Sequence, residues 1–538
     1  MDVKKNSLKS LPFSTLFQHY ISGSGSIDNF FETSPKSWSS VLESIDSFEF
    51  QGDRSVSVSL LEKFNHAHLD NETTEVQIKK INNPKCLTVV TGQQVTLYGG
   101  PLYSVYKTIT AILYARKLEQ TTGRPVVPIF WLADEDHDIE EVSTIRIPDS
   151  YSNSEITYSH KDYKDAPPAS TIQLGSELEK VQHLLVEYLD ETDFTAELLE
   201  KIRTCYQSDR TFGEAFGDLL MSYFGKHGLL LAGSLNPSAK SHTKEILKKA
   251  VKLRKELNLA LDDTTYSLIE AGYHDQVQVQ PSNLFYLTKT GARIKIQYVN
   301  DTWSIPSKKW SSSELLNEVE EHPEQFSPNV FLRPILQDYL LPVVAYVGGP
   351  GEIAYYAQMK EFYSCFGFKM PVIVPRFSLT IFESSIDRIL DKLPFEWHRY
   401  QDRIEDLEKE FVEFTETVDI EKLFGIWRAQ IDELSRAKRD EIGDIDPSLK
   451  GSVGKAKATY FSELDKLKGK VYRSVKDQEK VQLDRLKRIK NNLFPNGNLQ
   501  EREVAFIFFM NKYGTDIWDR VIDELSDEEP FNHLTLHL

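Results

Sequence analysis

One pattern occurs twice in this chain and limits its fold more than any other feature. Leu87 to Val90 is a short apolar, partly β-branched run of the kind that suits a buried strand. It leads through TGQQVTLYGGP into a helix-like segment, and then into a second apolar run, PVVPIFWLA. Further along, LPVVAYV leads through GGPGE into the helix-like IAYYAQMKEFYSCF and then into PVIVPR. Each copy reads as strand, glycine turn, helix, strand. Two such βαβ units predict an α/β fold built on an open, mostly parallel sheet.

The first helix is set by local chemistry. Pro101 stands where a first helical residue would, at the cost of an N–H that has no partner there anyway. Leu102, Val105, Tyr106, Ile109, Ile112 and Leu113 recur at three- and four-residue spacing, giving one apolar face. Gly123 and Pro125 end the helix. Phe212 to Phe224 reads as a further helix and Leu229 to Ala232 as a further short strand, with insertions near 145–205 and 245–330. Beyond about residue 380 the strand signals stop. Two long charged segments, 398–440 and 453–493, flank GDIDPSLKGSVG and predict a helical hairpin, with Leu464, Leu467, Val471 and Val475 at coiled-coil spacing. The expected organisation is a core over 1–380 and a helical coiled-coil domain over 381–538.

In a parallel unit the loops leaving successive strands emerge at one sheet edge, where open α/β sheets bind ligands. GQQ and EDHD leave neighbouring strands, so Gly92, Gln93, Gln94, Glu135, Asp136 and His137 border one crevice. Gln93 and Gln94 offer neutral donors and acceptors for carboxylate, hydroxyl or amide groups. Gly99 and Gly100 open a helix carrying Tyr103 and Lys107, whose N-terminus suits an anion. The second turn brings Gly349 and Glu352 to the same edge, and Arg376 follows the next strand, where it suits a phosphate or carboxylate. His274 lies in GYHDQV within an insertion, where a lone histidine is more often structural. Neither a dinucleotide fingerprint nor a Walker A loop is present. EDHD suits a general base, a magnesium ligand or a receptor for an ammonium group, whereas no ligand set for a resident metal is visible.

Whole-chain properties narrow the partners. The formal charge of -18 over 538 residues repels phosphate backbones and excludes nucleic acid as the main partner. PVVPIFWLA is too short to cross a bilayer, the N-terminus lacks the apolar core of a signal peptide, and three scattered cysteines form no disulfide framework. A soluble, cytoplasmic protein is expected.

TGQQ, GGPLYSVYK, FWLADEDHD, GYHDQV, VGGPGEIAYY and PVIVPR, in this order and followed by NGNLQER, resemble the bacillithiol biosynthesis BshC family over essentially the whole chain. The resemblance implies a Rossmann-like core with insertions, a C-terminal coiled coil that forms a homodimer, and a cytoplasmic ligase. The implied reaction adds cysteine to glucosaminyl malate in the last step of bacillithiol formation. Forming that amide needs an activated carboxyl, for which ATP or another nucleotide with Mg2+ is the expected source. The implied roles place Asp136 and His137 at the amine and its proton, Arg376 at an anion, and the glycine turns, Gln93 and Gln94 at substrate or nucleotide. The same crevice also suits a nucleotidyltransferase acting on a phosphorylated sugar, and the hairpin suits a non-catalytic scaffold. The core also resembles class I aminoacyl-tRNA synthetases, but without their HIGH and KMSKS signatures.

Overall fold

The computed structural model describes residues 1–68, 72–148, 153–159, 167–289, 291–415 and 419–538. Parts of the first expected insertion, 149–152 and 160–166, therefore lie outside the described residues.

The two sequence repeats form the centre of a five-stranded sheet. Its strands are β1 (Leu87–Gln93), β2 (Val126–Leu132), β3 (Leu230–Gly233), β4 (Val343–Gly348) and β5 (Val372–Pro375). They lie in the order β5-β4-β1-β2-β3, and every neighbouring pair is parallel. This is the 3-2-1-4-5 order of a Rossmann-like sheet, with its switch point between β1 and β4. The three central strands β2, β1 and β4 are buried at every position but Gln93 because both faces are covered, and most of their residues are apolar.

The helix after β1, α1 (Leu102–Thr122), is buried on more than the one face its spacing predicts. Ser104, Lys107, Thr108 and Thr110 are buried with its apolar residues. The reason lies far along the chain: Val504 to Met510 are buried in the same core cluster, and the Tyr106 and Trp518 rings meet edge-on. Two further helices, α2 (Phe212–Phe224) and α3 (Pro237–Lys252), flank β3, and α4 (Pro350–Tyr356) follows β4. The second insertion forms small antiparallel sheets, one of them Leu284–Leu287 paired with Arg293–Lys295 and Phe326–Pro328.

Packing divides the chain into two units. The first contains Met1–Pro148, Asn153–Ile381 and Gln500–Leu538, and the second contains Phe382–Leu499. The region expected as one helical domain over 381–538 is thus divided, and its last residues pack with the core. Glu501 is fully buried there and His533–His537 pairs antiparallel with Asp2–Asn6. The second unit contains the expected hairpin, α5 (Ile420–Ile445) and α6 (Lys450–Gln478). Ion pairs Glu421–Lys468, Arg428–Asp465 and Asp432–Lys457 step in opposite directions along the two helices, so they run antiparallel.

Candidate active site at the sheet switch point

The carboxyl ends of β1, β2 and β4 open into a cleft with two lobes that share a wall. The first lobe, about 530 Å³, lies at the switch point and is lined by Gly92, Gln93, Gln94, Tyr103, Lys107, Asp136, Gly349, Glu352 and Arg376, among others. Nine residues expected at one crevice from the sequence are therefore together. The second lobe, about 440 Å³, is lined by Glu135, Ser234, Phe285, Arg293 and Lys295, among others. Trp131, Ala133, Asp136, Val277, Val330 and Arg333 line both lobes.

The centre of the first lobe is a buried ion pair across the switch point. Lys107 Nζ lies 2.5 Å from Glu352 Oε2 and donates to the Gly92 carbonyl (2.8 Å) and Gln93 Oε1 (2.9 Å). Glu352 also accepts from the Tyr346 hydroxyl (2.6 Å) and the Gly349 amide (2.8 Å). Burial pushes the Glu352 carboxyl upward, but Lys107 and these donors outweigh it and hold it below the usual value. Burial pulls the Lys107 ammonium down despite Glu352. Gly92 is needed for packing against β2: a Cβ there would stand 2.9 Å from the Trp131 carbonyl oxygen. Burial pushes the Tyr103 phenol up to about 12, keeping it a neutral donor.

Successive residues of ADEDHD turn to different tasks, as neighbours in a loop must. Asp134 accepts from the Ser234 and Leu235 amides (3.1 and 3.0 Å) and pins the loop after β3. Burial, with the adjacent Glu135 charge, pushes Asp134 up to about 6. Glu135 pairs with Lys240 of α3, whose ammonium also donates to the Phe326 carbonyl (2.7 Å). Asp136 stands at the seam between the lobes, where its Oδ2 accepts from Gln94 Nε2 at 2.7 Å. The same Gln94 nitrogen also donates to Glu141 at 3.1 Å.

Several expected ligand contacts take other roles. His137 lines neither lobe, and its Nδ1 lies 3.3 Å from Arg293 Nη1. A guanidinium only donates, so Nδ1 is the acceptor and the ring proton sits on Nε2. Gly99 and Gly100 line no lobe either. Both have positive φ (+83° and +69°), and a Cβ would meet the Phe506 ring at 2.6 Å and Thr96 Oγ1 at 2.3 Å, so turn geometry and packing require them. The α1 N-terminus is covered: the Leu102 amide donates to the Val504 carbonyl (3.0 Å), and the Phe506 amide donates to the Gly100 carbonyl (2.9 Å). His274 is exposed and lines neither lobe, while its neighbours Gln276 and Val277 line the first. Arg376 reaches the lobe, but two of its nitrogens are held by Glu501 at 3.0 and 2.6 Å. This bidentate pair compensates its charge and ties the C-terminal segment to the core.

Four cations line the cleft without a carboxylate within ion-pair distance among the described residues: Arg293, Lys295, Arg333 and the exposed Arg502. Arg293 stacks 3.8 Å over the Phe285 ring and donates to Ser327 and the Pro328 carbonyl (2.9 and 2.7 Å). Arg333 donates to Gln337 and the Tyr355 hydroxyl (3.1 and 3.0 Å). None of these was singled out from sequence. One signal was available for Arg333, a charge inside the otherwise apolar start of FLRPILQDYL just before β4. Arg293 and Lys295 sit in a short strand whose role depends on folding back across the sheet edge. Among the described residues, no group of three or more His, Cys, Asp or Glu is placed to hold a metal ion.

Comparison with known proteins gives a family. The N-terminal Rossmann-like domain of bacillithiol biosynthesis BshC matches residues 1–377, and the C-terminal coiled-coil domain of the same family matches residues 379–538. Among similar proteins named "Putative cysteine ligase BshC", that of Salinibacter ruber is 34% identical over 453 residues, covering 84% of this chain and 82% of the relative. That of Chlorobaculum tepidum is 30% identical over 501 residues, covering 90% and 89%. That of Bacillus velezensis is 31% identical over 531 residues, covering 96% of each. A crystal structure titled as an arginyl-tRNA synthetase from Campylobacter jejuni is 11% identical and covers 84% of this chain and 98% of its own, but its TM-score of 0.21 carries no argument. The family matches together span nearly every residue, and the chain belongs to the bacillithiol biosynthesis BshC family.

Proposed function

We propose that this protein is a ligase that joins the carboxyl of cysteine to the amine of glucosaminyl malate, completing bacillithiol. Family membership and the relatives' names as cysteine ligases support the reaction class. The observation that carries the reading is the two-lobed cleft with Asp136 on its shared wall. Two substrates in adjoining lobes meet at a seam, and positioning them there supplies much of the rate.

The charges suggest which substrate takes which lobe. Malate carries two carboxylates, and the second lobe offers Arg293 and Lys295 without a carboxylate partner, with Arg333 at the seam. The glucosamine amine then points to the seam, where Asp136, held by Gln94, accepts its proton as the C–N bond forms and the C–O bond to the activating group breaks, releasing AMP from an acyl-adenylate or phosphate from an acyl-phosphate. The activated cysteine occupies the first lobe against Tyr103, Lys107 and Glu352. ATP with Mg2+ is the proposed co-substrate that activates the carboxyl. For its phosphoryl oxygens the first lobe offers Arg333 and Arg502. The amides of Gly349 and Leu102 are already donated within the chain, so the glycine turns do not form a phosphate cradle.

A cytoplasmic homodimer is part of the same proposal. Leu423, Ile426, Trp427 and Leu434 on α5, with Tyr460 and Leu467 on α6, are apolar or aromatic side chains exposed on the hairpin, which suits pairing with a second copy. Among the described residues no helix is long and apolar enough to cross a membrane.

Incubation with ATP, cysteine and glucosaminyl malate tests the reaction. Bacillithiol, detected by thiol labelling, with cysteine-dependent ATP turnover is the expected result. Pyrophosphate release from a nucleoside triphosphate with a sugar phosphate and no cysteine would replace it with nucleotidyl transfer. Failure to bind any small ligand, with a stable protein partner in pull-downs, would replace it with a scaffold.

A further inference from the structure

The cations of the cleft differ in how they are held. Lys107 is neutralised by Glu352, and Arg376 by Glu501. Arg333, on the wall shared by both lobes, is held instead by neutral groups: Gln337 Oε1 at 3.1 Å, the Tyr355 hydroxyl at 3.0 Å, and the Tyr346 ring at 5.7 Å. The carboxylate that would complete an ion pair is one step further away. Gln337 Nε2 donates to Asp338 Oδ1 at 3.2 Å, and the Tyr363 hydroxyl donates to Asp338 Oδ2 at 2.8 Å.

The amide direction in this chain is fixed by chemistry. Arginine has no acceptor, so the Gln337 oxygen must face Arg333 and its NH2 must face outward, where Asp338 accepts it. Gln337 is fully buried, so a flipped amide would find no water to satisfy it. An acceptor at 338 thus selects the amide orientation that keeps Arg333 aimed. Because a neutral amide separates the two charges, the guanidinium keeps its charge for a ligand.

We propose that Gln337 and Asp338 are positioning residues that aim an unneutralised Arg333 at an anionic group of the substrate, a carboxylate or a phosphoryl group, at the seam of the cleft. The inference deepens the ligase reading and rests on it for the identity of the substrate, though not for the anion contact itself. Asp338 also lines a separate cavity of about 210 Å³ walled by Phe48, Phe368 and Met370, so substitutions there have room. Burial holds its carboxyl up at about 7, against the hydrogen bonds from Tyr363 and Gln337 and the charge of Arg333.

The test separates the relay from the reaction. Calorimetry measures binding of L-malate, inorganic phosphate and uncharged N-acetylglucosamine to the full chain and to Arg333→Ala, Gln337→Glu, Gln337→Leu, Asp338→Asn and Asp338→Leu. Gln337→Glu places a carboxylate on Arg333, so anion affinity should fall by ~10-fold or more, about the worth of a hydrogen bond to a charged group, with the neutral sugar unaffected. Asp338→Leu and Gln337→Leu should raise KM for the anionic substrate more than they lower kcat. Asp338→Asn retains an acceptor oxygen for Gln337 and should recover most of the affinity lost in Asp338→Leu. Wild-type anion affinity in Gln337→Glu with an unchanged melting temperature overturns the proposal, as does a wild-type protein that binds neither anion. If anions bind in a Gln337-dependent way but no bacillithiol forms, the relay stands and the ligase reading falls. If bacillithiol forms with wild-type KM in Gln337→Glu, the relay falls and the ligase stands.

Discussion

Replacing Lys107 with methionine should destabilise the first unit by about 3 kcal/mol, because it leaves Glu352 buried without its counter-charge. Breaking a buried pair by removing one partner costs about 3–5 kcal/mol, and the lower end applies here because Glu352 keeps two donors. These are the Tyr346 hydroxyl at 2.6 Å and the Gly349 amide at 2.8 Å. Methionine preserves the length and apolar stem of lysine, so little cavity cost is added. Hydrogen exchange of the β1 and β4 amides in increasing urea reports the first unit without contribution from the hairpin. Glu352→Gln alone should cost a similar amount, since it strands the ammonium. The double variant should cost less than the sum of the two, with a coupling of roughly 1–3 kcal/mol, as expected for groups in direct contact. The pH dependence has a definite sign. The folded Glu352 carboxyl lies below its unfolded value, so its contribution is present above about pH 4.3 and is lost as pH falls through the folded value. The Lys107→Met variant should lose that acid dependence. A cost below ~1 kcal/mol, or strictly additive effects in the double variant, would refute the view that this pair holds the switch point together.

Other variants test the remaining assignments. Asp136→Asn should lower kcat by ~10²-fold or more if this carboxylate takes the proton of the attacking amine, whereas His137→Gln should stay within ~10-fold because the ring lines neither lobe. Gly100→Ala, which puts a Cβ 2.3 Å from Thr96 Oγ1 at a φ of +69°, should cost ~1–3 kcal/mol in urea unfolding, and the protein that does fold should keep its substrate KM. His533, buried between Ser378 and Thr380, is pushed down by burial to about 4 against the pull of Glu501. Its neutral form is therefore favoured by folding: the contribution is full above the unfolded histidine value and falls, by up to ~3 kcal/mol, as pH drops from about 6.5 toward 4. His533→Gln should flatten that part of the stability profile.

The sequence made the sheet legible because its information there is local. A β-branched run, a glycine turn and an apolar helix repeat within a few dozen residues, and each piece agrees with the next. The same locality places nine of the expected residues along one lobe, since loops at the ends of parallel strands must share an edge. What stayed illegible was non-local. The α1 N-terminus read as an open anion site, but Val504 and Phe506 cover it, and nothing near residue 100 announces them. Arg376 read as free because its partner, Glu501, lies 125 positions away. Arg293 and Lys295 drew no reading from the sequence, and only the fold of the insertion turns them into a lobe. Charge compensation was the property that sequence could not supply, and it decides which cations are left for a ligand.

That point also explains the repeat. Both copies contain Gly-Gly-Pro before a helix, and the sequence places both turns at one ligand edge. In the folded chain they complete one another. The first copy supplies Lys107 from its helix, the second supplies Glu352 from the first turn of its own, and the two meet across β1 and β4 at 2.5 Å. Gly349 in the second copy gives its amide to Glu352, and Gly92 ahead of the first gives its carbonyl to Lys107. The end of β1, the helix after the first turn and the amide of the second turn are therefore used to clasp the switch point, while the Gly100 carbonyl and Leu102 amide of the first turn bind Phe506 and Val504. A switch point is the one place in an open parallel sheet where the strand connections diverge and a crevice opens. An internal clasp there fixes the floor of the cleft, while the uncompensated cations, Arg293, Lys295 and Arg333, are displaced to its walls. On this argument the glycine motifs are the foundation of the site, and ligand recognition belongs to the residues that the foundation leaves without partners.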